Sequence, residues 1–176
     1  MKFDEIKFIF RNKKNFLEEI DLLKTCIYSD KFRYYFNLLE SKGYKISNKG
    51  IDRIKESDNR VFVSVSSKIF IDESGGNIER RPCSGINAVD KDTKEAVICI
   101  YGKLMHDALI DQVRKSDHSL TDEQIKNIYD NSIVETFAHE LLHFYFDEDE
   151  VNVNAMSRLD FIKKTVESGE VISYEA

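Results

Sequence analysis

The 176-residue chain has one proline, Pro82, and only seven glycines. That scarcity excludes a proline-rich segment or a flexible glycine-rich linker, so nothing in the composition divides the chain into parts. Tryptophan is absent, which leaves twelve Phe and eight Tyr to fill a core. The cysteines Cys26, Cys83 and Cys99 are odd in number, widely spaced and without a CxxC pair. Reduced thiols are expected rather than a disulfide framework. No apolar run approaches the ~20 residues that span a bilayer. Asp4, Glu5 and Lys7 interrupt what would have to be the uncharged core of a signal peptide. A cytoplasmic protein with no membrane partner is expected. Net charge is −6, with basic residues interspersed among acidic ones, which argues against a nucleic-acid partner. Composition does not set the oligomeric state.

What is present is the balance of a globular domain, 41% hydrophobic and 33% charged. A single domain over 1–176 is expected, with a helical part at about 1–45, a sheet at about 60–101 and two helices at about 121–168. In the first part, Phe16, Ile20, Leu23 and Ile27 recur at helical spacing. Phe32, Tyr35, Phe36 and Leu39 do so again. Ser29-Asp30 is a place for the helix to divide, and Gly43 a place for it to end. The period then becomes two. Val61, Val63 and Val65 alternate with Phe62, Ser64 and Ser66, as in a strand. Lys68 to Asp72 reads as its continuation or a second short strand, Ser74 to Asn77 as a turn, and Pro82 as part of a loop. Ile86–Val89 and Ala96–Tyr101 read as strands joined by a hairpin through Asp90-Lys91-Asp92-Thr93.

Thr121 and Gln124 form a capping box, with Asp122 and Glu123 placed to suit the positive end of a helix. Ile125, Ile128, Tyr129, Ser132, Phe137, Leu141 and Phe144 are expected to trace its buried side. This helix carries His139-Glu140-Leu141-Leu142-His143, an HExxH sequence. Residues four apart share a helix face and lie ~6 Å apart along the axis, so two imidazoles can converge on one ion. Glu140, rotated ~100° from His139, is free to act on water as a general base. A chance HExxH would arise in on the order of one such chain in a hundred. Its position on an amphipathic helix with its own start signal strengthens the reading of His139 and His143 as ligands of one zinc ion.

A third protein ligand is needed. Asp147, four residues after His143, is too far along the axis if the helix continues, so the chain must turn. The metzincin pattern would place the ligand at Asp149, but it uses a glycine where Phe146 stands. On a following helix, Asp147 and Glu150 form a natural N-cap and capping-box pair. Glu148 then falls one turn before Val151 and Asn152, beside the apolar stripe of Val151, Ala155, Leu159, Ile162 and Val166. Glu148 is the chosen ligand, with Glu150, Asp149 and Asp147 as alternatives. Asn152, four residues on, could orient a ligand histidine from its far nitrogen.

With His139, Glu140, His143, Glu148 and Asn152 in place, residues of about 95–166 resemble the gluzincin branch of the zincin metallopeptidases. These carry HExxH on one helix and a glutamate, in an ExxxD-like motif, on a following helix. Only Phe144 to Asp147 separate the motif from Glu148 here, a shorter connection than is usual. The nearest layout is that of small stand-alone zincins. The resemblance implies an α+β, zincin-like fold: a small sheet with an edge strand over the HExxH helix, then a glutamate helix. Ala96–Tyr101 is the expected edge strand, able to hold a peptide by strand addition. It further implies one Zn²⁺ and hydrolysis of peptide bonds in a protein or peptide substrate. A binding or regulatory protein that keeps this fold without turnover is the competing reading.

Other residues were weighed against plainer roles. Arg80 to Gly85 resembles the thiol segment with which some matrixin propeptides cap their zinc, through Cys83. A turn with an ordinary loop thiol is the preferred reading. His106 and His118 lie in a polar connection and read as surface residues. Tyr101, Tyr145 and Tyr174 read equally as oxyanion stabilisers and as packing or surface residues.

Overall fold

Two short β-branched and aromatic stretches, distant in sequence, begin the sheet. The computed structural model describes residues 3–11, 14–45, 47–67, 71–72, 81–82, 85–116 and 119–146. Strand β1 (Lys7–Phe10) lies parallel to β2 (Arg60–Val65), with Phe8 opposite Val61 and Phe10 opposite Val63. Parallel neighbours require a long crossover. It is made by three helices: α1 (Leu17–Ile27), α2 (Asp30–Ser41) and α3 (Asn48–Glu56). The pair β3 (Ile71–Asp72) and β4 (Arg81–Pro82) forms a separate antiparallel ladder. The main sheet is completed by the hairpin of β5 (Gly85–Val89) and β6 (Ala96–Ile100). Helices α4 (Gly102–Lys115) and α5 (Asp122–Phe146) follow. Among the described residues the chain is therefore mixed α and β, with a four-stranded sheet ordered β1-β2-β6-β5 and five helices. No helix among the described residues is long and apolar enough to cross a membrane.

Several expected signals act as expected. Ser29 divides α1 from α2, its hydroxyl accepting from Phe32 N–H at 3.2 Å. Gly43 ends α2, its N–H bonded to Glu40 and that of Tyr44 to Leu39. The hairpin connection is closed by Asp90, whose carboxylate accepts from Asp92 and Thr93 N–H, both at 2.9 Å. Those two N–H donors hold the Asp90 carboxyl below its usual pKa. Thr121 and Gln124 form the reciprocal capping box, at 3.1 and 2.9 Å.

The differences are equally specific. Residues 7–10 form a strand, although the N-terminal part was read as helical. Residues 48–56 and 102–115, the latter read as a polar connection, are helices. Pro82 belongs to a ladder, opposite Ile71, rather than to a loop. Ile128 is 41% exposed, not buried. Most consequential for the site, Ala96–Ile100 is an interior strand between β2 and β5, and among the described residues the edge strand beside it is β5, with β1 at the other edge. Strand β5 is the one antiparallel strand of the main sheet among those residues. The apolar run of β6 reflects burial: Ala96, Ile98 and Ile100 are fully buried. The expected glutamate helix and the tail strand at 171–174 lie outside the described residues, as does the turn at Ser74 to Asn77.

The core gathers on the helical side of the sheet, and α5 runs through it. Val61, Val63 and Val65 of β2 and the buried residues of β6 meet Ile133, Phe137, Leu141 and Phe144 in one apolar cluster. An aromatic group anchors the last turn of α5. Phe36 stacks on Phe3 at 4.5 Å and on Phe146 at 6.0 Å, and meets Tyr145 edge-on at 5.7 Å. Burial pushes the Tyr145 phenol pKa up, so this tyrosine is a neutral core residue.

The same turn is held from outside by α3. Ser47 N–H donates to the Tyr145 carbonyl at 3.2 Å, satisfying a group that the helix leaves open. Arg53 lies over the Phe144 ring at 5.1 Å. Gly50 sits so close that a Cβ there would overlap the Phe144 carbonyl oxygen. Gly50→Ala should therefore destabilise the fold by about 1–3 kcal/mol, as overpacking against rigid backbone does. Urea unfolding of the two proteins measures the difference. Equal stability would show that α3 moves away at no cost.

Candidate metal centre

Helix α5 is apolar around most of its C-terminal half. At 100° per residue, Thr136, His139, Glu140 and His143 fall within an arc of about 100°. The remaining circumference presents Phe137, Ala138, Leu141, Leu142, Phe144 and Tyr145, all buried. Packing of those residues fixes the rotation of the helix, and so fixes where the polar arc points. Part of it points to β5.

Gly85 is the reason the strand and the arc can meet. A Cβ at Gly85 would lie 2.8 Å from Thr136 Cγ2 and 3.2 Å from Glu140 Cγ. A side chain there would press on Thr136 and Glu140, so glycine eases this close approach of strand to helix. Alternation places Asn87 on the same face of β5. Its Nδ2 donates to Glu140 Oε2 at 2.6 Å. Glu140 is 8% exposed, and a carboxylate at that depth needs a donor. The amide of Asn87 supplies it.

The two histidines are half-buried and converge. Their Nε2 atoms lie 3.1 Å apart, with ring planes at 77°. Two imidazoles facing through the same nitrogens either share one hydrogen or bind a common ion between them. Two nitrogens bound tetrahedrally to one zinc ion at ~2.0–2.1 Å would be separated by about 3.3 Å. The side chains thus stand within a few tenths of an ångström of the spacing for a shared ion. Two imidazoles are a suitable donor set for a borderline-soft divalent ion.

His139, Glu140 and His143 are accordingly brought together on one arc. Glu148, its alternatives Asp147, Asp149 and Glu150, and Asn152 lie outside the described residues. Among the described residues no group of three or more His, Cys, Asp and Glu side chains is placed to hold a metal ion. Cys83, His118 and Tyr174 also lie outside them. Cys26 and Cys99 are free thiols, and burial raises the pKa of Cys26. His106 is on α4, with its ring against Tyr129 at 5.3 Å. Tyr129 is ten residues before His139, about 15 Å along the helix. Tyr101 is buried at the start of α4, and Tyr145 in the aromatic group.

The sequence reading did not single out Asn87 or Gly85. A signal was available: Gly85, Asn87 and Val89 fall on one face of the strand, and a polar residue amid apolar neighbours calls for a partner. Comparison with protein-family models, with curated proteins and with solved structures finds no match to this chain.

Proposed function

We propose that the chain is a zinc-dependent metallopeptidase of small, gluzincin-like zincin type. The observation that carries this reading is the 3.1 Å approach of His139 Nε2 to His143 Nε2, with the anchored carboxylate of Glu140 on the same arc. His139 and His143 would hold the ion, with Glu148 as the third protein ligand and Asn152 orienting a ligand histidine. A zinc ion supplies Lewis acidity, which polarises a peptide carbonyl and lowers the pKa of water bound to it towards ~7. Glu140 would serve as the base that takes a proton from that water and passes it to the leaving amine.

The antiparallel edge strand supports a peptide substrate. In β6, Ile100 bonds towards β2, since its carbonyl accepts from Ser66 N–H at 2.7 Å. Main-chain groups alternate in direction along a strand, so Val97 and Cys99 turn to β5 and engage Ala88 and Ile86. The N–H and C=O of Asn87 therefore face away from β6, on the side of β5 that has no neighbour among the described residues, where an extended peptide would pair.

Protein purified without a histidine tag should carry about one zinc per chain. His139→Ala or His143→Ala should abolish binding, because each removes one of two converging donors. Elemental analysis reads the stoichiometry, and wild-type protein that refuses added zinc would sink the reading.

The third ligand is separable from the zinc. Glu148→Gln should weaken zinc affinity strongly, because an amide is a poor ligand for it. Glu150→Gln should cost only capping energy, about 1 kcal/mol or less. The opposite ranking in a zinc titration moves the ligand to Glu150.

Glu140→Gln keeps the size and removes the base. Zinc and folding should be retained, and cleavage of unfolded protein or a peptide library should fall at least ~100-fold. Equal cleavage by both proteins would place the activity elsewhere. If both hold zinc and neither cleaves, the reading gives way to a recognition module of the same fold.

A further inference from the structure

We propose that Asn87 is the positioning residue of Glu140, joining the register of the edge strand to the orientation of the base. The assignment rests on the metallopeptidase reading for its catalytic consequence and on geometry for its contact. Asn87 lies on the helix-facing side of β5, opposite the buried Ile98. Its amide nitrogen donates to Glu140 Oε2 at 2.6 Å, linking residues 53 apart in sequence. Gly85, two residues earlier on the same face, leaves Thr136 and the Glu140 stem the space to approach.

The two halves of Asn87 serve two surfaces. Its main chain is turned away from β6, by the alternation that sends Ile86 and Ala88 to that strand. Its side chain is turned to the helix. A slip of one residue would put Ile86 or Ala88 opposite Glu140 and reverse every side chain of the strand. Neither can donate a side-chain hydrogen bond, and the carboxylate would be left buried without this partner. A strand in correct register therefore sets the base, and a peptide paired along that edge would lie in fixed relation to it.

The assignment is tested by exchanging donor and acceptor. In metal-free protein, Asn87→Asp places two acceptors against each other, one of them buried. Melting should fall by at least about 3 °C. In the N87D/E140Q double variant the amide is on the helix and the carboxylate on the strand, so the bond re-forms in reverse and the melting temperature recovers. An unchanged N87D protein, or a double variant that does not recover, overturns the assignment. Should N87D not fold alone, recovery of folding in the double variant is the same readout.

In the zinc-loaded enzyme, Asn87→Ala should keep its zinc and lower kcat about tenfold or more, with KM within about twofold. In the Glu140→Gln background the same change should have no further effect on kcat. A raised KM with unchanged kcat would make Asn87 a substrate contact and overturn the assignment. Absence of hydrolysis by the wild type would fall on the metallopeptidase reading, and the donor–acceptor exchange would then decide the Asn87 assignment by itself.

Discussion

A carboxylate set deep beside two imidazoles is costly unless something donates to it, and the meeting of α5 with β5 answers that cost. Glu140 is only 8% exposed on a helix that Phe137, Leu141 and Phe144 hold by its apolar side. Its partner must come from the sheet, at hydrogen-bond range. This sets a tight approach between strand and helix, which Gly85 permits and Asn87 completes. The interior position of β6 follows the same logic. Fully buried on its helical face, β6 supports β5 from one side, and among the described residues no strand pairs with the other side of β5.

Local chemistry was readable where a few consecutive residues determine the outcome. The Thr121–Gln124 box, the Ser29 break and the Asp90 turn each lie within four or five residues, and each forms as its side chains dictate. The relation of His139 to His143 was legible for the same reason, since helix geometry alone places them. What escaped was decided by distant pairing or by weak local preference. Strand β1 has only four residues and is defined by Arg60 to Val63 far along the chain. Helix α3 is short and contains Gly50, a poor helix former retained for its contact with α5. Helix α4 starts without a side-chain cap and with Gly102 in its first turn.

Edge and centre were exchanged for a related reason. An apolar run such as Val97-Ile98-Cys99-Ile100 reads identically at an edge or in an interior, since periodicity reports burial of faces and not the presence of a neighbour. The hairpin itself was recognised, but its two strands could be added to β2 in either order. Packing chose β6, whose small Ala96 and branched Ile98 and Ile100 fit between two strands beneath α5. Asn87 then found its role through Glu140, a partner that no local rule connects to it.

The Ser47–Tyr145 bond gives the histidine-bearing turn a keeper from far upstream. Residues that orient His143 thus belong to the same cooperative body as α3, the aromatic group and, through it, the N-terminal turn at Phe3. A ligand held on that turn would be coupled to the folding of these elements together, in proportion to the logarithm of its concentration over its dissociation constant. The chain would then register occupancy of two side chains as resistance to unfolding in α3 and in the packing about Phe3, far upstream of the ligand.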